Sequence, residues 1–220
     1  MMKVFTPTID LRSEMTEVKD QGQRPSCVAF AVTASNEFYQ KSKNPLSEEF
    51  LFRCCKMRDK NDYGGTYVRT AMKNLYAVGQ VEESVMPYQK GFNSSPLPST
   101  INLGYFRLAR KYRIDEFKQI SKEIGFVEKN ISCGRPVVCV VEVRDEFFEP
   151  SHSFIDIQEN MSQSFPLHAI VIVGYGLDNF GQKYFIIRNS WGSEWGTNGH
   201  GYLSYLYYKI CCIENWVVGA

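Results

Sequence analysis

Gln21-Gly22-Gln23-Arg24-Pro25-Ser26-Cys27-Val28-Ala29-Phe30 is the stretch on which the reading of the fold turns. Beyond it, small or apolar residues at Val28, Ala31, Val32, Ser35 and Phe38 trace one buried stripe, which predicts a helix over 27–41. Pro25 and Ser26 come just before it, and serine is a favoured N-cap residue. Cys27 therefore stands at the first helical position. There the positive end of the helix dipole and the free amide donors favour thiolate over thiol. Gln21 lies upstream across a glycine-containing turn, from which its amide can fold back beside the Cys27 N–H and donate to an oxyanion.

Distant segments carry matching chemistry. Leu167-His168-Ala169-Ile170-Val171-Ile172-Val173-Gly174-Tyr175-Gly176 puts His168 at the entrance of an apolar strand, where it can project into a cleft. In Arg188-Asn189-Ser190-Trp191-Gly192-Ser193-Glu194-Trp195-Gly196, the Asn189 amide can accept the second imidazole proton and fix the ring's tautomer. Trp191 can cover that bond against water. Gly64-Gly65 can expose backbone donors and acceptors to an extended peptide. Taken singly, each has a plainer explanation: a cysteine in a helix is most often a small buried hydrophobe, a tryptophan a core aromatic, Gly-Gly a turn. Their agreement on one mechanism outweighs those explanations.

In order and separation, these segments resemble the papain family of cysteine peptidases. The distance from Cys27 to His168 falls within the roughly 130–150 positions usual there. Asp10-Leu11-Arg12 resembles the start of the mature enzymes and Gly201-Tyr202 their final barrel strand, so the likeness covers nearly the whole chain. Gly64-Gly65-Thr66, Ala71-Met72-Lys73 and Met86-Pro87-Tyr88 are most similar to short prokaryotic-type members. The resemblance implies an α+β, two-lobe fold. Residues 1–98 would form a mainly helical lobe with the nucleophile helix, and 99–220 an antiparallel β-barrel lobe with His168 and Asn189. The cleft would lie between them, and either chain end could cross to the other lobe.

The resemblance also implies roles. Cys27 would be nucleophile, His168 base and then acid, Asn189 the orienting group and Gln21 an oxyanion donor. Trp191 would shield these groups, Trp195 would border the leaving-group side, and Gly64-Gly65 would pair with substrate backbone. Val140, Pro166 and Leu167 would build the main side-chain pocket. A peptide or protein substrate is implied, with no cofactor and no metal, and the chain itself is expected to be a monomer. A toxin or effector peptidase with a dedicated inhibitor or immunity partner is an alternative reading, as are a leader-peptide peptidase and an inactive binding module. The chain also departs from the family pattern. Arg24-Pro25 stands where the family has Cys-Gly, and Val28 where a Trp follows the nucleophile. Losing that cysteine removes a disulfide typical of secreted members. The mature-like region begins close to Met1, so no pro-segment is expected, and another restraint on activity is required.

Composition narrows the setting. Lys and Arg number 25 against 24 Asp and Glu, a net charge of +1, which predicts no nucleic-acid or membrane-surface partner. Apolar runs such as Ala169–Val173 are too short to span a bilayer. The N-terminus has no apolar h-region, so a cytoplasmic location is the default expectation. A longer parent protein, or export without a cleaved signal, would escape that test. The seven cysteines are an odd number with two adjacent pairs, Cys54-Cys55 and Cys211-Cys212. They show neither a disulfide framework nor zinc spacing and are expected to be mostly buried thiols, with Cys133 and Cys139 structural. Further helices are predicted from Ser47, over Thr66–Ala77 with Gly79 closing it, and over Asp115–Ile124. A crossing segment is expected at Asn93–Thr100. Strands are predicted over Pro136–Val143, Ala169–Tyr175, Tyr184–Arg188 and Gly201–Tyr205. His152 and His200 match no motif, and Arg107–Arg113 reads as a solvated face.

Overall fold

Leu167–Asp178, rich in β-branched and aliphatic residues, forms β5, the longest strand and the axis of the sheet. The computed structural model describes residues 3–59, 64–91, 101–148, 150, 152–157 and 165–219. Its other strands are β1 (Phe5–Asp10), β2 (Phe117–Ile120), β3 (Val137–Glu142), β4 (Phe154–Ile155), β6 (Lys183–Arg188), β7 (His200–Ser204) and β8 (Cys212–Val218). They run in the order β2-β8-β3-β5-β6-β7-β4. β5 is long enough to take two partners along one edge. Residues 167–172 pair with β3 and 174–178 with β1, both antiparallel, while β6 takes the other edge. Gly174 and Gly176 admit β1 at that range. A Cβ at Gly176 would stand 2.3 Å from the Thr6 carbonyl oxygen, and one at Gly174 2.5 Å from that of Ile9.

The helices are α1 (Cys27–Gln40), α2 (Glu48–Arg58), α3 (Val68–Ala77), α4 (Leu103–Ala109), α5 (Ile124–Ser132), α6 (Asp145–Phe148) and α7 (Tyr205–Cys211). One hydrophobic core joins α1, α2 and α3 to β3, β5 and β6, so the fold is α+β. α1 is buried along nearly its whole length, and most of its buried polar side chains find partners, the Ser35 hydroxyl being the exception. Asn36 Nδ2 donates to Gln80 Oε1 at 3.0 Å, and Glu37 accepts the Leu46 N–H at 2.6 Å. α2 begins as expected, with Ser47 Oγ accepting the Phe50 N–H at 3.0 Å. Gly79, at φ +92°, follows the end of α3.

Several expectations need correction. The helix expected over 115–124 is instead β2 followed by the start of α5. Phe117 and Ile120 have helical spacing, but Phe117–Ile120 pairs with β8, and a short run yields to tertiary pairing. The sheet does not close into an antiparallel barrel. Among the described residues, β2 and β4 end an open sheet, and β4 runs parallel to β7. The two residues of β4 offer too few backbone groups to carry the sheet round to β2. Tyr205 opens α7 rather than ending β7. Cys133 is exposed, unlike Cys139. The crossing segment at Asn93–Thr100, with the boundary between residues 98 and 99, lies outside the described residues.

The packing of β1 onto β5 is testable. Gly176→Ala forces a methyl against the Thr6 carbonyl, and should destabilise the fold by about 1–3 kcal/mol. The check is a lowered urea midpoint at unchanged m-value.

Candidate active site

Cys27 opens α1 behind a residue that has the chemistry of a cap but does not act as one. The Ser26 hydroxyl hydrogen-bonds the Tyr88 hydroxyl at 2.7 Å and makes no side-chain bond to the first turn. The amides of Cys27 and Val28 are left to face the Cys27 sulfur, joined there by the backbone of Ala169. Unpaired first-turn amides and the positive end of a long helix together favour negative charge at that sulfur. Ala169 is the residue after His168, so α1 and β5 meet at the thiol.

The loop that precedes Cys27 is joined to the Asn189 segment. The Gln21 N–H donates to Ser190 O at 2.8 Å, and Ser190 Oγ donates to Gln21 Oε1 at 2.6 Å. Asp20 and Trp191 form an antiparallel bridge beside them. Gln21 Nε2 spends one proton on Arg24 O at 2.8 Å, which leaves its second N–H available. Asn189 Oδ1 accepts the Ser190 N–H at 2.8 Å and lies 2.7 Å from His168 Nε2. The Ser190 amide identifies that atom as oxygen, so Nε2 carries the imidazole proton. Nδ1 is then the nitrogen left to take a proton from Cys27.

An aromatic wall encloses the imidazole. The Trp191 ring lies 4.8 Å from the His168 ring and Phe147 5.9 Å, while Phe148 stacks on Trp191 at 5.4 Å. This enclosure sets the charges. Burial pushes the Cys27 thiol up, against its backbone hydrogen bonds. Burial pushes His168 down to about 4, against the bond to Asn189.

The residues expected to line the cleft are distributed unevenly. Cys27, Gln21, His168, Asn189 and Trp191 come together as described. Trp195 is largely buried. It is buried behind Phe147, stacked at 5.4 Å with its indole N–H given to Phe147 O at 3.0 Å, and so it supports the wall from within. Val140 is buried opposite Ala169 in the β3–β5 register, whereas Leu167, opposite Glu142, is half exposed. Pro166 just precedes β5, and its carbonyl accepts the Val143 N–H at 2.9 Å. Gly64 sits against the Pro25 ring, next to the nucleophile loop. The Gly65 carbonyl already accepts Lys56 Nζ at 3.0 Å, leaving one lone pair for a peptide. Among the described residues, no group of three or more His, Cys, Asp or Glu is placed to hold a metal ion.

Ser190, Tyr88, Phe147 and Phe148 were not singled out from sequence. Ser190 adjoins Asn189 and could have been flagged by that neighbourhood. Nothing local to Tyr88, Phe147 or Phe148 signals a role, because each reaches the site only through tertiary packing.

Comparison with known proteins agrees with this geometry. A family model described as papain family cysteine protease matches residues 5–220. Mouse cathepsin K is 28% identical over 215 residues, covering 94% of this chain and 62% of its own length. Digestive cysteine proteinase 1 of Homarus americanus is 29% identical over 218 residues, covering 90% of this chain and 64% of its own. The chain thus spans about six tenths of the length of these curated relatives. In structure, it superposes on xylellain, a cysteine protease from Xylella fastidiosa, with a TM-score of 0.80. That match covers 98% of this chain and 86% of the other at 24% identity, a likeness of fold. The chain belongs to the papain family of cysteine proteases.

Proposed function

We propose that the chain hydrolyses peptide bonds through a thioester acyl-enzyme, with Cys27 as nucleophile and His168 as the proton carrier. The observation that supports this most is the oriented His168–Asn189 pair, which leaves Nδ1 free, while the next residue, Ala169, brings its backbone to the Cys27 sulfur at an uncapped helix start. Cys27 Sγ gives its proton to His168 Nδ1, and the thiolate attacks the substrate carbonyl carbon. The Cys27 N–H and the second N–H of Gln21 stabilise the oxyanion. The C–N bond then breaks as the imidazolium protonates the departing amine. Water attacks the thioester, passing a proton back to Nδ1. The C–S bond breaks and the thiolate returns.

The charges of this pair form together. Each alone is disfavoured by burial. Moving one proton from thiol to imidazole leaves the site's net charge unchanged, and creates an adjacent pair whose attraction offsets the lost solvation. Trp191 and Phe147 keep water from screening it.

Two outcomes follow. Cys27→Ala should abolish both peptide turnover and labelling by a thiol-directed epoxide. Turnover that survives the substitution would overturn the assignment. The same variant leaves His168 as a lone buried imidazole, which should titrate near pH 4 in an NMR experiment, well below its ordinary value of 6.5. The folded variant then binds fewer protons than the unfolded chain between those values. Its stability is full above pH 6.5 and is lost progressively as the pH falls toward 4. An imidazole titrating near 6.5 in Cys27→Ala would contradict the burial argument.

A further inference from the structure

The mechanism leaves a buried ionic cluster beside the nucleophile loop unused. Arg24 Nη1 meets Glu49 Oε2 at 2.5 Å, and Arg53 Nε meets Glu49 Oε1 at 2.7 Å. All three residues are buried. Burial works to raise the Glu49 pKa, but the hydrogen bonds from Arg24 and Arg53 outweigh it and hold the carboxyl below its ordinary value. Arg24 Nη1 also donates to Gln89 O at 3.1 Å, and its guanidinium lies 5.0 Å from the ring centroids of both Phe52 and Tyr88. Buried ion pairs of this kind add little net stability over well-packed apolar residues, so what they orient is the better question.

What this cluster orients is the Arg24 backbone. The Arg24 carbonyl accepts Gln21 Nε2 at 2.8 Å and the Ser26 N–H at 2.8 Å. Tyr88, on which the guanidinium stacks, donates its hydroxyl to Gln21 O at 2.9 Å and hydrogen-bonds Ser26 Oγ at 2.7 Å. The side chain gripped by α2 thus governs one peptide, which aims the Gln21 amide and leads into Cys27. All seven cysteines are free, so no disulfide ties this loop to α2.

We propose that Arg24 is a positioning residue for the peptidase reaction, tying the Gln21–Ser26 loop to α2 through Glu49 so that the Gln21 amide is held in place. The proposal rests on the peptidase reading above and deepens it.

Arg24→Met is the informative variant, because it leaves Glu49 matched one-to-one with Arg53. On a fluorogenic peptide, kcat should fall about tenfold or more while KM changes less than about threefold. Arg24→Lys keeps the charge without the planar fork and should restore only part of kcat; full rescue by Lys would point to charge alone and overturn positioning. Gln21→Ala should cost about 100-fold in the parent protein but less than about tenfold in Arg24→Met, because the amide there is already misplaced. Additive losses would overturn the proposal. A readout independent of turnover is NMR of the Ser26 backbone amide and the Gln21 side-chain NH2. In Arg24→Met, Ser26 exchange should speed up and the Gln21 resonances should shift, with β3 and β5 amides unchanged. Unchanged Ser26 and Gln21 signals would sink the proposal. Absent turnover in the parent protein would remove the peptidase reading, and this measurement would still decide whether Arg24 holds the loop.

Discussion

α1 is enclosed by α2, α3 and β5 along nearly its entire length, so it cannot shift without opening the core on two sides. Its N-terminus is therefore a fixed point, and the Cys27 sulfur is carried on it. Close packing makes the placement rigid: a buried helix moves only with its neighbours. Everything else in the site is arranged around that end. β5 brings His168 and Ala169 to it, and the Asp20–Gln21 segment bridges from it to Ser190 and Trp191.

Where most helices spend their first amides on a capping side chain, this one sends its serine to Tyr88 instead. The cost in helix stability is modest, on the order of 1 kcal/mol, against a core that already holds the helix down. What is left is a cluster of unpaired donors beside a sulfur. The same logic governs the imidazole. Burial depresses its charge, yet the bond to Asn189 fixes which nitrogen is free. Burial therefore opposes a lone charge on either the sulfur or the imidazole. Aromatic packing from Phe147, Phe148 and Trp191 covers the imidazole against bulk solvent.

Much of this is legible along the chain where chemistry and periodicity coincide. The stripe Val28–Phe38 marks α1, Ser47 with two following acids marks α2, and the apolar run after His168 marks the central strand. Gln21, Cys27, His168 and Asn189 could be chosen because their residue types fit one mechanism and no other feature competed. Legibility failed where a short segment takes its conformation from a distant partner. Residues 115–124 carry apolar residues at helical spacing, but their backbone is claimed by β8. β1 has no marked alternation and is held by the absence of side chains at Gly174 and Gly176. The closed barrel was expected from likeness rather than from residues, and the short parallel β4 shows why the sheet stays open.

By itself, then, the sequence determined the order of elements around the site, the choice of candidate groups and the helix end on which the thiol stands. Local propensity and side-chain chemistry are properties of neighbouring residues, and they are written in the chain. Tertiary structure alone decided that Ser26 would forgo capping, that Trp195 would stack on Phe147, and that Ser190 would join Gln21 to Asn189. It also decided that a lone arginine before the nucleophile would be buried against Glu49. Each of these depends on which atoms from remote segments reach a buried polar group first. Most buried donors, acceptors and charges find a partner, and only the folded arrangement determines which one.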